Sequence, residues 1–141
     1  MNGLPAMTEL QSRLATIPYA RFLGFEVAAE GDTLIGRLPF AESLIGNPRI
    51  RALHGGVVGA TLELTAICEL LRQPQTRAIP KIVTITVEYL RSAQAADLVA
   101  RAEITRHGRR LASVRVTAWQ DDPAKPVAAA NALFLLKDAA P

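Results

Sequence analysis

Residues 54–72, HGGVVGATLELTAICELLR, are the one long stretch of this chain with helical spacing, and they are apolar on nearly every face. A helix of that kind has no side to give to water and must be covered from more than one direction. Pro74 stands just beyond its end, and the glycine pair Gly55-Gly56 stands at its start. Whatever else the chain forms has to wrap this segment.

The remaining segments read mostly as strands. FEVAAEGDTLIGRLPF is a hairpin, Phe25–Glu30 and Thr33–Phe40, turning at Gly31-Asp32. In KIVTITVEYLR, Val83, Ile85, Val87 and Tyr89 alternate with Thr84, Thr86 and Glu88, the period of a half-buried strand. DLVARAEITRHGRRLASVRVTAWQ reads as two strands joined at His107-Gly108-Arg109, and VAAANALFLLK as a final strand after the turn DDPAKP. Four strands in succession predict an antiparallel meander. Residues 41–53 read as a loop. Ahead of the hairpin, residues 1–7 form a lead-in, and Thr8 caps a short helix that ends at Pro18. The fold class is therefore α+β: a curved antiparallel sheet around one central helix, the hotdog arrangement. It forms a single domain over residues 1–141, with residues 1–18 as lead-in and short helix. One sheet covers the helix only in part, so a second copy of the chain is expected to complete the burial.

Composition removes several alternatives. Sixteen Lys and Arg against thirteen Asp and Glu give a net charge of +3. The basic residues are scattered, with no run dense enough for nucleic acid. No apolar stretch approaches the ~20 residues of a membrane span, and the N-terminus lacks the pattern of a signal peptide, so a cytoplasmic protein is expected. A lone cysteine, Cys68, leaves no internal disulfide and no cysteine-based metal site. It falls inside the apolar helix as a small core residue.

One charge is out of place. On a wheel advancing about 100° per residue, Glu63 falls among Ala60, Ala66, Ile67 and Leu70. Thr61, Thr65, Glu69 and Arg72 gather on the opposite side, where a solvated stripe is expected. A carboxylate on the apolar side is costly unless it is paired, hydrogen-bonded or protonated. Either an interfacial ion pair with an arginine or a catalytic role accounts for it equally well at this level. Two glycines at a helix start allow close approach to amides that lack helical partners, a site for developing negative charge. Glu63 is too far along its own helix to reach those amides, so a partner helix would have to bring the two together. His54 is a candidate base or, with better support, a cap or loop-orienting residue.

From about Tyr19 to Lys137 the chain resembles the PaaI-like branch of the hotdog acyl-CoA thioesterases. The resemblance is carried by Asn47, LHGG at 53–56, Glu63 nine residues after His54, the VEYLR strand and the RHGRRLASVRV hairpin. It implies hydrolysis of acyl-CoA thioesters without metal or bound cofactor; the homodimer, pairing again into a tetramer, is expected from the apolar helix that one sheet cannot cover. It also implies that Glu63 activates water or attacks the carbonyl directly, and that the Gly55 amide polarises that carbonyl. Asn47 would assist from the loop. Gly56, Arg91, Arg109 and Arg110 are the expected substrate contacts, the arginines on CoA phosphates. Leu53, Val57, Phe40 and the Tyr89 region would line an apolar acyl pocket. The sequence departs from the family pattern at two points: Asn47 stands seven residues before His54, whereas six is usual and Pro48 holds that place, and no residue matches the Ser or Thr that helps position water in some relatives. Two other readings use the same fold. A dehydratase or hydratase would place its His and carboxylate differently. A non-catalytic acyl-CoA-binding module would have no need of Glu63.

Overall fold

The computed structural model describes residues 7–137; of the predicted lead-in at residues 1–7, residues 1–6 lie outside them, and Met7 already belongs to a helix. Two short helices open the chain, α1 (Met7–Leu14) and α2 (Pro18–Leu23). Thr8 lies inside α1 instead of capping it, and Pro18 begins α2, at the helix start where its missing N–H costs nothing. There follow β1 (Glu26–Glu30), β2 (Thr33–Leu38), the 3-10 turn Glu42–Leu44, β3 (Ile45–Asn47) and β4 (Ala52–Leu53). The segment 41–53 is thus a turn and a small hairpin, not an irregular loop. The long helix α3 runs Gly55–Leu71, and β5 (Lys81–Tyr89), β6 (Leu98–His107), β7 (Leu111–Trp119) and β8 (Ala128–Leu135) complete the chain.

Six strands form one antiparallel sheet in the order β1-β2-β6-β7-β8-β5, curved around α3. The expected four-strand meander is corrected here. β6, β7 and β8 do form one, but β5 pairs with β8 and not with β6. The connection at residues 90–97 is anchored elsewhere: Leu90 and Arg91 N–H donate to the Val127 carbonyl, and Ala93 O accepts from Leu53 N–H. β5 is therefore a sheet edge, and Val83, Tyr89 and Leu90 are exposed there.

Two extra residues change which side chains face the helix. The β5–β8 register shifts between Ile82 and Thr84, so Val83 is a bulge and points to solvent, while Ile82, Ile85 and Val87 pack on the core. The β6–β7 register shifts between Ile104 and Arg106, and Thr105 is the extra residue.

The helix wheel also needs correction. Thr61 and Thr65, placed by periodicity on a solvated stripe, are fully buried, and Glu69 nearly so. The hydroxyls of Thr61 and Thr65 donate to the carbonyls of Val57 (2.9 Å) and Thr61 (2.7 Å), which removes the cost of burying them. Gly36 of β2 makes room for the second: a methyl there would lie 2.2 Å from Thr65 Oγ1. Glu69 pairs with Arg72 at 3.1 Å. The side of α3 left open is the other one, where Gly59, Ala60 and Glu63 are half-buried.

Candidate active site

The start of α3 is held by the small hairpin before it. His54 N–H donates to the Leu44 carbonyl at 2.9 Å, and a methyl on Gly46 would lie 2.5 Å from His54 Cα. Only glycine at 46 lets the two backbones approach so closely. His54 is the N-cap, in extended conformation, and its Nδ1 accepts from Gly56 N–H at 2.8 Å. A neutral imidazole accepting at Nδ1 carries its proton on Nε2. Gly56 also leaves space for that ring, because a methyl there would sit 3.0 Å from Nδ1.

The first-turn amides can now be followed one by one. Gly56 N–H is taken by His54 Nδ1, and Val57 and Val58 N–H both donate to the His54 carbonyl, at 3.0 and 3.2 Å. Gly55 N–H has no acceptor among the described residues. It stands at the positive end of a 17-residue helix. On the other side of the same residue, the Gly55 carbonyl accepts from the phenol of Tyr89 at 2.8 Å.

Glu63 lies eight residues further, about 12 Å along the axis at 1.5 Å per residue. Gly55, Gly59 and Glu63 recur at intervals of four and so share one stripe of the helix. Glu63 makes no hydrogen bond or ion pair with the described residues, and burial raises its carboxyl above the ordinary value.

The other expected residues are divided between two places. Asn47 is exposed, ends β3 at a register shift after Ile45, and its Oδ1 accepts from Arg49 N–H at 3.1 Å. Arg91 follows Tyr89 at the helix-start end and borders a cavity of about 270 Å³ with Ser92, Gln94 and Lys125. Arg109 and Arg110 sit in the β6–β7 turn at the far end of the sheet. Leu111 and Lys81 both pair with Leu135 there, whereas Tyr89 pairs with Ala128. Seven register steps between Ala128 and Leu135 put the two ends roughly 23 Å apart. Within one chain the arginines of the turn do not reach Gly55. Leu53 belongs to the core. A roomier cavity of about 610 Å³ lies at the C-terminal end of α3, bordered by Asp32, Glu69, Arg72, Arg101, Glu103 and His107. Its charges are mixed and partly paired with each other, and none of the expected residues lines it. Chemistry therefore points to the helix start and not to the larger hollow.

Two residues at the site were not singled out for it by sequence reasoning. In the sequence Tyr89 reads only as part of an apolar pocket, and its hydroxyl gives no signal in a strand pattern. Gly46 looked like an ordinary loop glycine. No helix among the described residues is long and apolar enough to cross a membrane.

An antiparallel sheet wrapped on one helix defines a hotdog-fold protein. Residues 46–135 match the family of acyl-CoA thioesterase N-terminal domains, and the chain belongs to that acyl-CoA thioesterase family. A protein of known structure from Chromobacterium violaceum is 35% identical over 95% of this chain and 98% of its own, with a TM-score of 0.72. A candidate thioesterase of Ralstonia eutropha, described as phenylacetic acid degradation-related, is 25% identical over 90% of this chain and 98% of its own, with a TM-score of 0.76. A Bacillus halodurans protein, whose structure includes CoA, shares the fold at 19% identity, covering 94% of each chain with a TM-score of 0.77. No curated protein matches the chain.

Proposed function

We propose that this protein hydrolyses acyl-CoA thioesters in sites shared between two copies of the chain, as a PaaI-like thioesterase of the cytoplasm. The observation that carries the reading is the Gly55 amide, free at a helix start whose next three amides all have acceptors. A thioester carbonyl placed against it gains its hydrogen bond as charge develops on the oxygen, a type of contact typically worth ~3–4 kcal/mol of barrier.

Glu63 supplies the second function. As general base it takes a proton from water, the water oxygen attacks the carbonyl carbon, and the tetrahedral oxyanion rests on Gly55 N–H. Collapse breaks the C–S bond, and the thiolate of CoA leaves and takes up a proton. As nucleophile it would attack the carbon itself, leaving a mixed anhydride for water to cleave. The first course is preferred, because burial raises the carboxyl toward the working pH of a base. His54 serves as cap and orients Gly56, and Asn47 shapes the loop. The chemistry asks for no metal or bound cofactor.

The separation of Gly55 from Glu63 along one helix supports the shared site. The open side of α3 and the unpaired edge of β5 are the apolar surfaces a second copy would cover, and an edge strand is a template for pairing. In such a homodimer, Glu63 and the turn with Arg109 and Arg110 come from one copy, and Gly55, Gly56 and Arg91 from the other. The arginines meet the phosphates of CoA. Dimers pairing again give the expected tetramer. A thiol-release assay across a panel of acyl-CoAs tests the function. No release from any of them, with acyl-CoA still bound, would favour a non-catalytic binding module.

A further inference from the structure

The peptide unit between Gly55 and Gly56 is gripped at both ends by side chains. Its N–H, from Gly56, donates to His54 Nδ1 at 2.8 Å, and its carbonyl, from Gly55, accepts from Tyr89 Oη at 2.8 Å. The two grips come from different parts of the fold. His54 belongs to the helix cap, whereas Tyr89 ends the edge strand β5. The phenol is itself fixed: Leu90 and Arg91, the next two residues, both donate to the Val127 carbonyl, at 2.8 and 3.2 Å. Its ring lies along the helix, with Cε1 and Cζ 3.6 Å from where a methyl of Gly55 would be and Oη 3.4 Å from one on Gly59. The phenol therefore lies beside Gly55 and Gly59, one turn apart, where neither residue has a side chain.

Such a grip matters where two glycines stand in succession. Glycine has the widest backbone freedom of any residue, and these two precede the regular bonding of the helix. Gly55 N–H lies in the His54–Gly55 peptide, whose carbonyl accepts from Val57 and Val58, and the φ and ψ of Gly55 set its angle to the Gly55–Gly56 peptide that follows. An oxyanion donor is useful only if its direction is set before the reaction begins. The Gly55 carbonyl is also the acceptor for the amide one turn on in a regular helix, so Tyr89 adds a second, lateral bond to an oxygen already held axially. Axial bonding alone leaves the first turn free to fray. The lateral bond ties it to the sheet.

We propose that Tyr89 is a positioning residue of the thioesterase site: its phenol, by donating to the Gly55 carbonyl, holds the Gly55–Gly56 peptide and thereby aims the Gly55 amide at the thioester oxygen. This rests on the hydrolase reading above and adds to it a group that need not touch the reacting atoms. The bond acts through the geometry of the donor, so its loss falls on turnover more than on substrate binding.

The test compares full-length wild type with Tyr89→Phe on the best acyl-CoA of the panel. Phenylalanine keeps the ring against Gly55 and Gly59 and deletes only the hydroxyl. The expected result is a fall in kcat of roughly 3- to 10-fold, the scale of one net hydrogen bond, with KM within about 2-fold. His54→Ala combined with Tyr89→Phe should be non-additive in kcat, because both remove a grip on one peptide; strict additivity would count against the shared peptide. A second measurement uses a fluorinated tyrosine at position 89, whose phenol ionises at lower pH. It should keep wild-type kcat at low pH and lose activity above its own pKa, since a phenolate has no proton to donate. An active wild type with Tyr89→Phe equal in kcat, or altered only in KM, overturns the positioning role and leaves the hydrolase reading standing. A wild type that releases no thiol from any acyl-CoA overturns both.

Discussion

Nδ1 of His54 accepts the amide proton of Gly56 at 2.8 Å, two residues along the chain. That bond assigns the ring to the helix cap and leaves Nε2 carrying the proton in the neutral form. Asn is a strong N-cap residue and has no basic nitrogen. His54→Asn is expected to keep most of the activity, whereas His54→Ala should lower stability by about 1 kcal/mol, the usual cost of a lost cap, and reduce kcat. Urea unfolding and steady-state kinetics of the two variants check this. If His54→Asn is as inactive as a Glu63 variant, His54 is the base and not the cap.

Glu63 makes no ion pair or hydrogen bond with the described residues, so its replacement separates chemistry from folding. Glu63→Gln keeps shape and removes both base and nucleophile, and turnover should drop roughly 100-fold or more. The folded state should be at least as stable as wild type at neutral pH, since a partly buried, unpaired charge is a cost. A variant near wild-type rate would remove Glu63 from the mechanism, and one that fails to fold or assemble would make it a structural charge.

The raised Glu63 pKa acts on both rate and stability. As a base it must be ionised, so kcat/KM should rise with pH along an acid limb centred above the ordinary glutamate value of about 4.3. Between that unfolded value and the higher folded one, the folded state binds more protons. Stability therefore falls as pH rises through this window. In Glu63→Gln the matching part of that slope should vanish, which chemical unfolding at a series of pH values measures.

Gly36 and Thr65 are a packing pair that can be tested apart from function. A methyl at Gly36 would meet Thr65 Oγ1 at 2.2 Å and the Phe25 ring at 2.8 Å. Gly36→Ala should cost about 1–3 kcal/mol, the range for overpacked cores. Adding Thr65→Ala should recover part of it by removing one of the two clashes. Equal stability of Gly36→Ala and wild type would show that β2 shifts freely from α3.

The edge of β5 carries the assembly prediction. Val83 stands out of the strand at its bulge and is exposed. A lysine on such an edge opposes strand pairing. Val83→Lys should shift sedimentation from dimer toward monomer and lower thiol release in step, with the circular dichroism spectrum unchanged. A wild-type chain that sediments as a stable, active monomer at micromolar concentration would end the shared-site reading.

Much of the fold is legible in the sequence because it depends on local period. The apolar run from Val57 to Leu71 could only be a covered helix, and alternation in residues 81–89 and 111–119 could only be strands. The same periodicity isolates Glu63 as a charge away from the other polar side chains, and Gly55-Gly56 marks the helix start. Tertiary structure decided what period cannot carry. Val83 left the packed face because one extra residue in a ladder reverses every orientation beyond it. Thr61 and Thr65 went inward because each hydroxyl found a carbonyl one turn back and Gly36 made room. Strand β5 took its place beside β8 through long-range backbone pairing, which leaves no mark on either strand's own pattern. The free amide of Gly55 emerged only when each neighbouring N–H had been matched to its acceptor. Tyr89 entered the site because a strand end and a helix start, 34 residues apart in sequence, meet in space. Local pattern sets which face of an element is apolar, and only three-dimensional packing determines which of those faces, and which unsatisfied groups, are brought together.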